Sequence, residues 1–269
     1  MNRVLLFFLI FLSCFSFAFA GEFAPAAEKP GSLAVKLGDP KILNWASGYR
    51  DYLPGDNLND IWTDTSKAIG PASGNSYDVV SLGEGGEITL IFNEPIKNKE
   101  GFDFAVFENS FSDGFLELAE VFVSTNGDDF IGFDTFSNTP KLVSGYGTIN
   151  PENIKNFAGK YRKGYGTCFD LEELKEKPFI LSGVVDLDEI KYIKIKDIIG
   201  DGRIKDSRGN PVYDPYPTHG SAGFDLDGVC SLDGLVISFT EKDNQEKNKE
   251  YSSEGFGNEG GCFIGLLFN

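Results

Sequence analysis

Residues 117–136 read ELAEVFVSTNGDDFIGFDTF, and the centre of this stretch decides the fold. Glu120–Ser124 is a short run of β-branched and aromatic residues, the composition of a half-buried strand. It stops at Thr125-Asn126-Gly127-Asp128, where Asn-Gly supplies the positive φ angles of a tight hairpin. Phe130–Phe136 is then predicted as the returning strand. Working outward, Ser81–Phe92 (SLGEGGEITLIF) is a glycine turn feeding a strand with Ile88, Leu90 and Phe92 on one face. Phe102–Phe107, Tyr192–Ile199 and Gly234–Phe239 are further strands. Helices are predicted only over Pro151–Ala158, with proline in the first turn, and over Leu171–Lys177 behind Asp170 as N-cap. Many short strands, few helices and 32 glycines predict an all-β protein, an antiparallel β-sandwich or jelly roll with a few short helices.

The chain has 269 residues, 41 acidic against 24 basic, and a formal net charge of −17. That balance excludes a nucleic-acid-binding surface, which needs cations to displace counterions from phosphates. It also opposes docking on anionic headgroups. His219 is the single histidine, so no mechanism built on two imidazoles is available. Hydrophobic residues at 41% and aromatics at 14% are too abundant for a disordered acidic chain. One globular domain with a sizeable core is expected.

Residues 1–20, MNRVLLFFLIFLSCFSFAFA, have the form of a signal peptide. Arg3 is the positive start, Val4–Leu12 an apolar run too short to span a bilayer, and Ala18-Phe19-Ala20 a small-x-small cleavage site. Export to the periplasm, the outer surface or the medium is therefore expected, and Cys14 leaves with the leader. Of the remaining cysteines, Cys168 and Cys230 are the better candidates for a disulfide, with free thiols as the alternative. Residues 21–31 are expected to be a flexible lead-in, 32–240 the β-sandwich domain, and 241–269 a disordered polar linker with a short apolar tail. No segment is predicted to cross a membrane.

Carboxylates are the only abundant reactive groups. Strand parity places Asp197 on the face of Ile193 and Ile195, where a buried carboxylate needs a partner or a cation. Asp201 follows in a glycine-flanked turn, and Asp225 and Asp227 share one strand face. Hard oxygens in turns suit Ca2+, so these four aspartates form the candidate metal set. The competing reading is that they cap turns and solvate edges, as Asp commonly does. Paired carboxylates also raise a glycoside hydrolase as an alternative. No G-x-S-x-G elbow supports a serine nucleophile, and Gly83-Glu84-Gly85-Gly86 precedes a strand rather than a helix, so it is no phosphate cradle. No catalytic residue is assigned.

Aromatic residues in loops rich in Gly, Pro, Asn and Asp suit sugar recognition, in which flat faces stack and amides and carboxylates bind hydroxyls. Trp45, Tyr49, Trp62, Tyr165, Tyr213, Tyr216 and the loop imidazole His219 form the candidate ligand-binding set. Plugging of the sandwich ends is the alternative role for such rings.

Six segments carry a resemblance: Val79–Ile96 (VVSLGEGGEITLIFNEPI), Asp103–Asn109 (DFAVFEN), Glu117–Phe130, Ala158–Leu171 (AGKYRKGYGTCFDL), Ile195–Asp201 (IKDIIGD) and Asp214–Val229 (DPYPTHGSAGFDLDGV). Together they resemble a family of secreted bacterial cell-surface proteins, whose members often bear PEP-CTERM sorting signals. The resemblance implies a galactose-binding-like jelly roll at the cell surface and no catalytic residues. The end of the chain, Gly260-Gly261-Cys262-Phe263-Ile264, is similar to the start of the CFI-box C-terminal motif of bacterial surface proteins, in truncated form. The expected function is non-catalytic binding of a glycan or surface polymer, with Ca2+ as the candidate stabilising ion. Other cell-envelope components are conceivable partners. Capture of a small ligand for an uptake system, with corrinoids as one class, is the alternative.

Overall fold

A computed structural model describes residues 22–237. The leader with Cys14 and the polar linker with its Cys262 tail lie outside the described residues.

The chain turns at Asn126-Gly127, but only Gly127 of the pair has a positive φ and the strands resume pairing at Val123 and Ile131, so the connection is longer than a two-residue hairpin. Gly127 takes φ +83°, Ser124 Oγ accepts the Gly127 N–H at 2.9 Å, and Asn126 Oδ1 accepts those of Asp128 and Asp129. The flanking strands pair antiparallel, with Val123 opposite Ile131 and Phe122 opposite Gly132. The return strand is shorter than the sequence suggests and ends at Gly132. Beyond it the chain is drawn to another loop, where the Thr135 and Ser207 backbones and the Ser207 hydroxyl exchange hydrogen bonds.

In chain order the strands are β1 (Ala34–Lys36), β2 (Ile42–Trp45), β3 (Gly48–Leu53), β4 (Val80–Ser81), β5 (Glu87–Ile96), β6 (Phe102–Glu108), β7 (Ala119–Ser124), β8 (Ile131–Gly132), β9 (Phe136–Ser137), β10 (Ile154–Lys155), β11 (Tyr165–Phe169), β12 (Ile190–Asp197) and β13 (Asp225–Leu235). One sheet has the order β1-β11-β6-β13-β2, with β4 also on β13, and the other the order β3-β5-β12-β7-β8. β9 and β10 form a separate ribbon, and every ladder is antiparallel. The architecture is the antiparallel sandwich that the alternating runs predict.

The inter-sheet core holds Ile88, Leu90 and Phe92 of β5, Phe104 and Val106 of β6, and Ile193 and Ile195 of β12. A second cluster around Val35, Phe107 and Cys230 covers the outer face of the first sheet. A third, around Leu116, Ile149, Phe157 and Val212, lies beneath the loops. With both faces of β6 covered, Asp103 and Glu108 are both buried although their spacing points them to opposite sides.

The two helical segments shrink to single turns. Asn150 and Asp170 cap them by accepting the Glu152 and Glu172 N–H groups, but the 3-10 turns end at Asn153 and Leu174. Of the strand expected over Gly234–Phe239, Gly234 and Leu235 end β13, and residues 238 and 239 lie outside the described residues. The lead-in makes contacts with the sandwich: Phe23 packs on Phe136 with ring centroids 6.2 Å apart, and Arg162 pairs with Glu28 at 2.5 Å. Among the described residues no helix is long and apolar enough to cross a membrane.

Cys168 and Cys230 are both free and buried, for a topological reason. Each is opposite Ala105, one on β11 and the other on β13, so β6 runs between them. Two strand spacings separate their backbones by about 9–10 Å, beyond the reach of a disulfide.

Candidate functional site

Both sheets end at one pole of the sandwich, where β6, β12 and the starts of β5, β7 and β13 meet. Asp197 joins them. Its Oδ2 accepts the Gly85 N–H and its Oδ1 the Phe224 N–H, both at 2.7 Å. Gly83, Gly85 and Gly223 have positive φ, and a Cβ at Gly223 would lie 2.7 Å from Asp197 Oδ1. The glycines therefore let backbone amides close on a carboxylate of the same chain. The GEGG turn holds a carboxyl group of the same chain, and Glu84 within it reaches the next loop, its Oε1 accepting the Thr218 N–H at 2.7 Å.

Other carboxylates repeat this pattern. Asp214 accepts from Leu118 N at 2.8 Å. Asp225 accepts from the Ser81 hydroxyl and from Asn109 Nδ2. Asp227 accepts the Ser73 and Gly74 N–H groups at 2.8 and 2.9 Å. Glu108 is 1% and Glu117 4% exposed. Glu108 Oε2 takes the Ser110 N–H, but Oε1 of each glutamate is buried without a hydrogen-bond partner. None of the ion pairs of the described residues involves Glu84, Glu108, Glu117, Asp197, Asp214 or Asp225.

Burial is the main influence on the protonation of several of these groups. It drives Glu108, Glu117, Asp197 and Asp214 well above the ordinary carboxylate range, and repulsion among the cluster adds to it. Asp225 rises to about 7, again through burial, against the hydrogen bonds it accepts.

The sequence-derived metal set is not one site. Asp201 pairs with Arg203 at 2.6 Å, Asp227 serves the Ser73-Gly74 turn, and both oxygens of Asp197 already hold amides. Only Asp197 and Asp225 belong with the buried cluster, which also contains Glu84, Glu108, Glu117 and Asp214. No three Asp, Glu, His or Cys side chains among the described residues converge to hold a metal ion.

Loops above this acidic floor carry exposed rings. Phe111, Phe115 and Tyr146 form a continuous stack, with centroid separations of 4.5 and 6.3 Å and interplanar angles of 18°. Phe115 is buried, whereas Phe111 is 65% and Tyr146 79% exposed. Trp62 stacks on exposed Tyr77 at 6.2 Å and 21°. The chain is locked locally: the Ile149 N–H donates to Gly114 O at 2.8 Å, and Val143 bridges to Pro215.

Of the expected ligand residues, Trp62, Tyr213, Tyr216 and His219 lie on these loops, with His219 exposed and the two tyrosines half-buried. Tyr165 stands at the same pole, but its hydroxyl donates to Glu28 and Arg162 covers its ring. Trp45 belongs elsewhere: it packs on Phe107, centroids 5.4 Å apart, over the outer face of the first sheet. Tyr49 is on β3, an edge strand of the other sheet. Phe111, Tyr146 and Tyr77 were not among the sequence candidates. Their signal was placement in Ser-, Gly- and Asn-rich loops, which phenylalanine in an apolar-rich chain does not advertise.

No known protein family matches the chain, and no curated protein matches it. Among solved structures it is similar to the F5/8 type C domain of a Bacteroides fragilis protein, at 12% identity and a TM-score of 0.32, over 72% of this chain and 99% of that one. At that level the likeness carries no argument about ligand, and the sandwich assignment stands on the strand pairing itself.

Proposed function

We propose that the protein is an exported, non-catalytic β-sandwich that binds a glycan or surface polymer at its loop-bearing pole. The observation that carries this reading is the Phe111–Phe115–Tyr146 stack, whose two outer rings face solvent. Exposed large rings beside carboxyl and amide groups offer what a pyranose ring takes: a flat apolar face and hydrogen-bond partners for hydroxyls. The acidic surface favours neutral or basic polymers over anionic ones. Export rests on the Arg3, Val4–Leu12 and Ala18-Phe19-Ala20 pattern. The test is a glycan array probed with the purified chain and with Phe111→Ala and Tyr146→Ala. Selective binding lost in both variants supports the reading; no binding, or binding indifferent to both, overturns it.

A second proposal concerns Ca2+, supported by the unpartnered Oε1 atoms of Glu108 and Glu117. A buried carboxylate oxygen with no hydrogen-bond donor is favoured by a proton or a shared cation. Ca2+ takes six to eight oxygens and accepts carbonyls and water, so two glutamates need not supply the shell alone.

A further inference from the structure

On the flank where the lead-in docks, a cavity of about 320 Å3 is walled by Phe23, Phe102 and Tyr161. That size is at the lower end of small-molecule sites. Two of its polar lining groups, Thr167 and Lys160, bear on what it can hold. Thr167 Oγ1 is buried without a hydrogen-bond partner, a group that a bound ligand would satisfy. Lys160 is 5% exposed, and its Nζ donates to Ile154 O at 2.5 Å.

Burial dominates the protonation of Lys160. The charges of Glu152 and Lys155 act on it in opposite senses, and desolvation brings it down to about 7. A lysine amine in that range is largely a nucleophile at neutral pH and a weak anchor for anions. Glu22, Lys155, Asn156 and Glu173 also line the cavity, with Glu173 paired to Lys155 and Glu22 to Arg208, so no unpaired cation among these four stands ready to anchor an anionic guest. Cys168 lines it as well, but burial holds its thiol protonated and inert.

We propose that this cavity captures an uncharged aldehyde or ketone with an apolar or aromatic body, as a reversible imine on Lys160. The Nζ lone pair attacks the carbonyl carbon and the C=O π pair moves to oxygen. Proton transfer from nitrogen to that oxygen gives a carbinolamine, and loss of water leaves the imine. Hydrolysis returns amine and carbonyl compound, so neither oxidant nor reductant takes part. The site is separate from the loop-bearing pole and independent of what binds there.

The full chain is incubated at about pH 7 with benzaldehyde and cyanoborohydride, which fixes the imine as a benzyl amine, and each lysine is quantified by peptide mass spectrometry. The expected result is labelling of Lys160 at least about tenfold above exposed Lys141, Lys163 and Lys175, because its neutral fraction is far larger. Glyoxylate, an anionic aldehyde, should label Lys160 less than benzaldehyde does. Labelling no greater than at the exposed lysines, or equal labelling by both aldehydes, overturns the proposal. Lys160→Met should remove the mark and leave the others unchanged. The wild-type map decides the matter even where that variant does not fold.

Discussion

Glu108 and Glu117 lie in one buried acidic cluster at the pole of the sandwich, and each keeps an Oε1 atom with no hydrogen-bond partner. An unpaired carboxylate oxygen in that setting costs several kcal/mol unless it is protonated or meets a cation. If Ca2+ is the answer, a hundredfold excess over Kd stabilises the fold by about 2.7 kcal/mol, which raises Tm by roughly 5–10 °C for a domain of this size. Differential scanning calorimetry with millimolar Ca2+ against chelator measures it. Glu117→Gln should abolish the shift. A Tm indifferent to calcium sinks the idea.

Protonation makes the opposite demand on pH. Asp225 has a folded pKa near 7 against an ordinary 3.8, chiefly through burial. A carboxyl raised in this way favours the fold fully below about pH 4, and that contribution is lost as pH rises through 7. Asp103, raised to about 6 by burial, acts in the same direction. Groups held low by hydrogen bonds, such as Glu22 near 2, titrate below this window. Lys160, brought down to about 7 by burial, opposes this trend above pH 7, so in chelator Tm should rise as pH is lowered from about 7 to about 5. Asp225→Asn should flatten the slope. A slope of the opposite sign in chelator refutes the buried-proton account.

The amide clamp on Asp197 is a stability element. Asp197→Ala leaves the Gly85 and Phe224 N–H groups without their acceptors, at a cost of about 1–3 kcal/mol for each. Asp201→Ala removes a pair with the Arg203 guanidinium and the exposed hydrogen bond from the Arg203 N–H, and should cost less than the clamp, about 1 kcal/mol. Urea titrations of the two variants give the comparison. Equal destabilisation contradicts the clamp.

Alternating runs and turn chemistry made most of the sheet legible. Ile88, Leu90 and Phe92 share the core face the pattern assigns them, and Asn126-Gly127 turns where it must. Asp197 lies inward with Ile193 and Ile195. The candidate site was less legible, because a strand's parity gives a residue's face but not which loop lies opposite. Asp227 looked like a ligand until Ser73 and Gly74, more than 150 positions away in sequence, met it. Cys168 and Cys230 looked like partners because nothing in the sequence shows that β6 divides them.

Aromatic residues at the pole and on the flanks should separate by phenotype. Phe111→Ala and Tyr146→Ala should weaken glycan binding by about tenfold, or roughly 1.4 kcal/mol, with Tm unchanged because both rings are exposed. Trp45→Ala should leave affinity intact and lower stability by roughly 2–4 kcal/mol, since that ring packs on Phe107. Isothermal titration and thermal melts on the same preparations provide both readings. Affinity lost with Trp45 and kept without Tyr146 moves the binding surface to the outer sheet.

The position of β13 has a consequence for how the chain comes to be folded. The strand closest to the carboxyl end of the described residues holds together β2, β4 and β6, so none of these ladders can close until residues 225–235 have emerged from the ribosome. Contacts of such long sequence separation form late and slowly. The first sheet therefore stays incomplete until nearly all of the described residues have been synthesised, whereas the strands of the second sheet can pair once Asp197 is made.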